Sequence, residues 1–160
     1  MQAFDAILGL GSNLGDKRAN IARAIEVLTT AGDIQLVARS RDYRSAPWGK
    51  TDQDWFVNAC IMVVTALSAH QILERCLQTE RQLGRVRHEH WGPRVIDCDL
   101  LVFRDVHMNT PDLTLPHPRI TERAFVLVPM LEVGPDLMIK GRRLSEWLGT
   151  LDASDVVAMG

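Results

Sequence analysis

Read from its sequence, the 160-residue chain is an α+β domain whose elements run β-α-β-β-α-β, with additional C-terminal elements beyond them. Three observations predict this. Two segments place apolar residues at helical spacing, four others are short apolar or β-branched runs, and a turn or capping signal marks the junctions. That order matches the ferredoxin-like arrangement, an antiparallel sheet with helices on one face.

The elements follow in turn. Ala3–Leu10 reads as a buried strand, ended by the glycine-rich loop Gly9–Gly15. Ile21, Ala24, Ile25 and Leu28 fall at i, i+3, i+4 and i+7, one face of a helix that Gly32-Asp33 breaks. Ile34–Tyr43 reads as a second strand and Ser45–Asp54 as a loop. Trp55–Thr65, rich in aromatic and β-branched residues, reads as a third strand paired to the second. Ser68 and Gln71 make a capping box for a helix whose stripe is Leu73, Cys76 and Leu77, ended by Gly84. Arg85–Arg94 is a charged loop and Val95–Phe103 a fourth strand. Leu113–Pro118 is extended, and Thr121–Glu132 and Leu144–Leu148 read as helices. With no repeat, low-complexity tract or linker, residues 1–160 are expected to form a single domain.

Composition narrows the function. Apolar residues make up 46% and charged residues 24%, a soluble globular balance, and 18 Lys plus Arg against 20 Asp plus Glu give −2. That charge argues against a nucleic-acid binder, which is usually basic. Cys60, Cys76 and Cys98 are scattered within apolar runs, as buried free thiols in a reducing compartment are. No secretory signal is visible and no apolar run approaches the ~20 residues needed to span a bilayer. A cytoplasmic location without membrane attachment is the expectation, and a monomer.

The chemistry concentrates in the second half. Asp97 and Asp99 sit two apart in an otherwise apolar strand, so both carboxylates project from one face. Two like charges there repel unless a cation holds them, and magnesium suits one or two carboxylates plus substrate phosphates. The alternative is a solvated edge-strand face. The preceding loop carries Arg85, Arg87 and Arg94 around Trp91-Gly92-Pro93. Guanidinium groups suit polyphosphate oxygens, and a loop aromatic can cover a site on closing; the alternative is an ordinary basic surface loop matched to nearby acids. Glu80 falls on the helix stripe, either at its exposed end or facing a polar site. Phe56 and Asn58 alternate onto one strand face, a ring to stack on and an amide to read a heterocycle's edge, although core packing also explains them. GLGSNLG is neither a dinucleotide fingerprint nor a Walker A loop and reads as a tight strand-to-helix turn. His88 and His90 read as solvated.

WGPRVIDCDLLVF at 91–103 resembles the signature of the 6-hydroxymethyl-7,8-dihydropterin pyrophosphokinase family of folate biosynthesis. LGLGSNLGD, SAPWG, FVNA at 56–59, ERQLGRVR at 80–87 and LPHPRITERAF at 115–125 resemble further blocks of that family in order, covering residues 5 to about 135. The resemblance implies transfer of the β,γ-diphosphate of ATP to the pterin's hydroxymethyl oxygen, releasing AMP. It implies that Asp97 and Asp99 hold two Mg2+ ions, that Arg85 and Arg94 contact phosphates, and that Arg87 and Trp91 lie on a closing loop. Glu80 and His117 would line the nucleotide side, with Arg123 near the phosphate path. Phe56 and Phe125 would sandwich the pterin, with Asn58 and the backbone near Ser45, Ala46 and Trp48 reading its edge. The Arg85–Trp91 stretch looks one residue short, His90 stands where an arginine is frequent, and Phe56 stands for a frequent tyrosine.

Overall fold

A computed structural model describes residues 4–45, 55–84 and 95–159. Strand β1 (Ala6–Ser12) enters helix α1 (Lys17–Thr29), whose cap Asp16 accepts from the Ala19 amide at 3.2 Å. Strands β2 (Ile34–Arg39), β3 (Tyr43–Ser45) and β4 (Phe56–Thr65) precede helix α2 (Ala69–Gln82) and strand β5 (Asp97–Phe103). Short pairs β6 (Met108–Asn109) with β7 (Thr114–Leu115), and β8 (Met138–Ile139) with β9 (Arg142–Arg143), flank helix α3 (Ala124–Val133). Helix α4 (Leu144–Leu148) and strand β10 (Val157–Ala158) follow.

The main sheet runs β10-β3-β4-β1-β5, with β2 also on β4, and every pairing is antiparallel. Strand β4 is central because all ten of its residues are apolar, small or pairing-competent and eight are buried. The expected second strand, Ile34–Tyr43, is instead two strands on one edge of β4. Ser40 interrupts it by accepting the Cys60 amide on its Oγ at 2.9 Å. Asp42 then turns its carboxylate inward to Arg18 Nε at 2.9 Å and Arg39 Nη1 at 3.0 Å.

Local expectations at the helices hold, with one shift. Ile21, Ala24, Ile25 and Leu28 are the buried face of α1. The Ser68–Gln71 capping box forms with both bonds, 3.2 and 2.8 Å. The buried stripe of α2 is Ala69, Ile72, Cys76, Thr79 and Glu80, whereas Leu73 and Leu77 are half-buried, because the helix is rotated to set Glu80 beneath the sheet. Gly84 follows at φ +89°, the left-handed conformation that lets the chain leave the helix. Toward the C-terminus, the expected 121–132 helix is a 3₁₀ turn at Ile120–Glu122 and then α3, while α4 spans the expected Leu144–Leu148.

Two apolar clusters sandwich the sheet. Leu8, Leu10, Ile61, Val63 and Leu100 face α1 and α2. On the opposite face Ile7, Cys60, Met62 and Leu101 pack against Leu127 and Met130 of α3 and Leu144 of α4. Helices therefore lie on both faces, not one, because the C-terminal elements carry enough apolar surface to cover part of the second. The three cysteines are free and buried, and burial pushes their thiols up.

Candidate active site

Beyond the residues packed on α3, the second face carries glycines and polar side chains. Here Gly9 and Gly11 of β1 are flanked by Asp99 and Asp97 on β5, and by Cys60 and Asn58 on β4. Cross-strand partners share a face, so the two glycines place no side chain between the acidic pair and Asn58. The expected loop start at Gly9 was wrong for this reason: β1 continues to Ser12, and its glycines are strand residues. A Cβ on Gly11 would lie 2.8 Å from Asn58 Oδ1. Beyond the strand, Asn20 Nδ2 fixes the turn by donating to Ser12 Oγ at 3.2 Å and Leu14 O at 2.8 Å.

Asp97 and Asp99 are half-buried, and the Cys98 between them points into the α-helical core. The Cys98 amide donates to Glu80 Oε2 at 2.9 Å, and Glu80 is only 4% exposed. Farther along, the His117 amide donates to Leu101 O at 2.8 Å. Both bonds satisfy groups of β5 and pin the strand that carries the carboxylates.

Arg123 caps the start of α3, half-buried, where burial lowers its pKa and the Asp99 charge opposes that shift. Its guanidinium carbon stands 5.7 Å from the centre of the Phe125 ring. Arg123 thus links the acidic pair, whose charge it feels, to the Phe125 ring. His117 Nδ1 accepts from the Arg119 amide at 3.1 Å, which assigns its hydrogen to Nε2 when neutral. Burial first, then Arg123 and Arg119, lowers its pKa to about 4, so the ring is a neutral donor at physiological pH.

On the far side, Asn58 Nδ2 donates to Ser45 Oγ at 3.1 Å, both residues buried. Phe56, opposite Ser45 and half-buried, follows on the same strand face as Asn58. The structure thus brings together two groups of expected residues: Asp97, Asp99 and Arg123, with Glu80 and His117 behind, and Ser45, Phe56 and Asn58. Ala46, Trp48, Arg85, Arg87, His88, His90, Trp91 and Arg94 lie outside the described residues. Gly9 and Gly11 were missed as a floor, although a G-x-G facing an Asp-x-Asp at period two was a usable signal. Glu132 of α3, which accepts the Tyr43 hydroxyl, carried none.

Among the described residues no group of three or more His, Cys, Asp or Glu gathers as a cage. The two carboxylates beside a glycine floor fit an ion that takes its remaining ligands from water and phosphate, the usual magnesium arrangement.

Comparison with known proteins decides the family. A model of 7,8-dihydro-6-hydroxymethylpterin-pyrophosphokinase matches residues 7–135. The chain belongs to that family. A 2-amino-4-hydroxy-6-hydroxymethyldihydropteridine pyrophosphokinase of Methylorubrum extorquens is 52% identical over 151 residues, 94% of this chain and 96% of the relative. One of Bacillus subtilis is 38% identical over 128 residues, covering 80% and 77%. A crystal structure of wild-type HPPK-DHPS from Plasmodium falciparum with pteroate aligns over 94% of this chain at TM-score 0.69 and 14% identity, and an HPPK-DHPS in complex with substrates aligns over 92% at TM-score 0.72 and 11%. Each alignment covers 43% of the longer chain, so the present chain spans under half of those proteins, and the likeness shows the fold.

Proposed function

We propose that this family member transfers the β,γ-diphosphate of ATP to the hydroxymethyl group of 6-hydroxymethyl-7,8-dihydropterin. The observation that carries the reading is one sheet face holding a paired carboxylate strand at one end and a buried amide beside an aromatic ring at the other, in a chain of this family. The hydroxymethyl oxygen attacks the β-phosphorus in line. The new O–P bond forms as the bond from that phosphorus to the oxygen shared with the α-phosphate breaks, AMP leaves, and the hydroxyl proton is released.

Asp97 and Asp99 would hold Mg2+, two ions by the family resemblance, and the metal would supply neutralisation of phosphate charge and polarisation of the P–O bonds. Arg123 adds a fixed cation beside the carboxylates, and Arg85 and Arg94 are assigned to the phosphates, with Arg87 and Trp91 closing over them. Neutral His117 offers an Nε2 hydrogen to the nucleotide, and Glu80 holds the aspartate strand in register. Asn58, Ser45 and the backbone near Ala46 and Trp48 read the pterin's edge while Phe56 and Phe125 enclose its ring. Acceleration comes from positioning and charge neutralisation, with no general base assigned.

The strand order β5-β1-β4-β2 supports the ferredoxin-like description, and a single domain over 1–160 is consistent with it. Among the described residues no helix is long and apolar enough to cross a membrane; a cytoplasmic location and a monomeric state are part of the proposal. The deciding experiment is AMP release from ATP and magnesium with the reduced hydroxymethyl pterin, a simple alcohol serving as control acceptor. AMP formed equally with both acceptors, or with neither, would end the reading.

A further inference from the structure

We propose that Glu132 is a positioning residue: by clamping Tyr43 and Arg41, it sets the spacing of α3, which carries Phe125, from Ser45 and Asn58 on β3 and β4. This rests on the reading of Phe125, Ser45 and Asn58 as the pterin site.

Glu132 lies seven residues after Phe125 on α3, close to two helical turns, so the two share one side of the helix. Tyr43 lies two residues before Ser45 on β3 and directly opposite Asn58 on β4. The clamp thus joins the helix bearing one proposed ring-facing residue to the strand bearing the edge-reading pair. Glu132 Oε1 accepts the Tyr43 hydroxyl and, at 3.4 Å, Arg41 Nε, while Oε2 accepts the Arg41 amide at 3.0 Å. The Arg41 guanidinium carbon also stands 5.6 Å from the Tyr43 ring centre. Tyr43 is 5% exposed. Burial raises its pKa and the Glu132 carboxylate raises it further, which keeps the phenol protonated as a donor.

Attachment of α3 does not depend on these bonds. Leu127 and Met130 already pack on Cys60 and Met62 of the sheet, an apolar contact that is non-directional. Hydrogen bonds are directional, and these three fix the angle at which the helix meets β3. Loss of the clamp should leave the helix docked but its spacing from β3 ill-defined. Its signature is a selective loss of pterin affinity, because the acidic pair lies across the sheet on β5.

The test uses the full chain and the variants Tyr43→Phe and Glu132→Gln, neither of which changes side-chain shape much. Binding of the hydroxymethyl pterin is measured in the presence of magnesium and a non-hydrolysable ATP analogue, and binding of the analogue alone is measured beside it. Tyr43→Phe should raise the pterin Kd roughly tenfold, the effect of one lost hydrogen bond to a charged group. Glu132→Gln, which keeps one accepting oxygen, should raise it less. Nucleotide Kd should stay within about twofold in both, as expected for a distant site. An unchanged pterin Kd in both variants, or equal losses for pterin and nucleotide, overturns the proposal. Asn58→Ala separates the two levels. If it weakens pterin binding while the clamp variants do not, the clamp alone fails; if it too leaves pterin binding intact, the pterin reading fails and takes the clamp with it.

Discussion

The two faces of the central sheet are written by the same strands one residue out of step. On β1, Leu8 and Leu10 enter the core under α1 and α2 while Gly9 and Gly11 floor the polar face. On β5, Cys98 and Leu100 go one way and Asp97 and Asp99 the other. Because strand side chains alternate with a period of two, stability and chemistry are separated by a single residue step. The closed face needs volume, and the polar face needs room between its side chains. Mutations on the two faces should therefore fail differently.

The largest effect is expected on the closed face. Ile61→Ala removes a fully buried side chain from β4 and should cost about 2–5 kcal/mol of stability, read by chemical denaturation, while AMP release per folded molecule stays near normal. A loss of turnover without a loss of stability would break the comparison. Next, Asp97→Ala should lower turnover at least ~10²-fold, by analogy with lost metal-site groups, yet leave the denaturation midpoint nearly unchanged. Magnesium titration of the variant checks the assignment: normal AMP formation at limiting magnesium would remove Asp97 from the metal. Gly11→Ala sharpens the contrast because it adds one methyl to the polar face. With Asn58 Oδ1 only 2.8 Å from the new Cβ, the amide must swing and its bond to Ser45 is lost. Pterin KM should rise roughly tenfold, with ATP KM little changed.

The smallest expected effect is a pH slope. His117 has a folded pKa of about 4, below its unfolded value near 6.5. Between those values the unfolded chain binds the extra proton, so stability rises with pH across that window and falls as the medium is acidified through it. His117→Asn should flatten the denaturation profile between about pH 4 and 6.5. A slope identical to that of the parent would show that His117 is not held neutral by the fold.

How much was legible in the sequence divides by range. Periodicity and capping were local, so the face of α1, the Ser68–Gln71 box and the shared face of Asp97 and Asp99 were read correctly. Where long-range partners compete with local preference, the reading failed. Gly9 and Gly11 look like a turn until β4 and β5 supply pairing on both sides. Ile34–Tyr43 looks like one strand until Ser40 takes the Cys60 amide and Asp42 turns inward to two arginines.

Sequence by itself determined the chemical inventory: the acidic pair, the arginines, the aromatic and amide on one strand, and the ordered blocks of the family. These follow from residue identity and short spacing, which the chain carries without folding. Tertiary structure decided what faces what. It placed Asn58 across a glycine floor from Asp97, set Glu80 behind Cys98, and brought Glu132 to Tyr43, 89 residues away along the chain. Such pairings depend on strand register and helix docking, which hydrophobic burial fixes globally and no local pattern encodes.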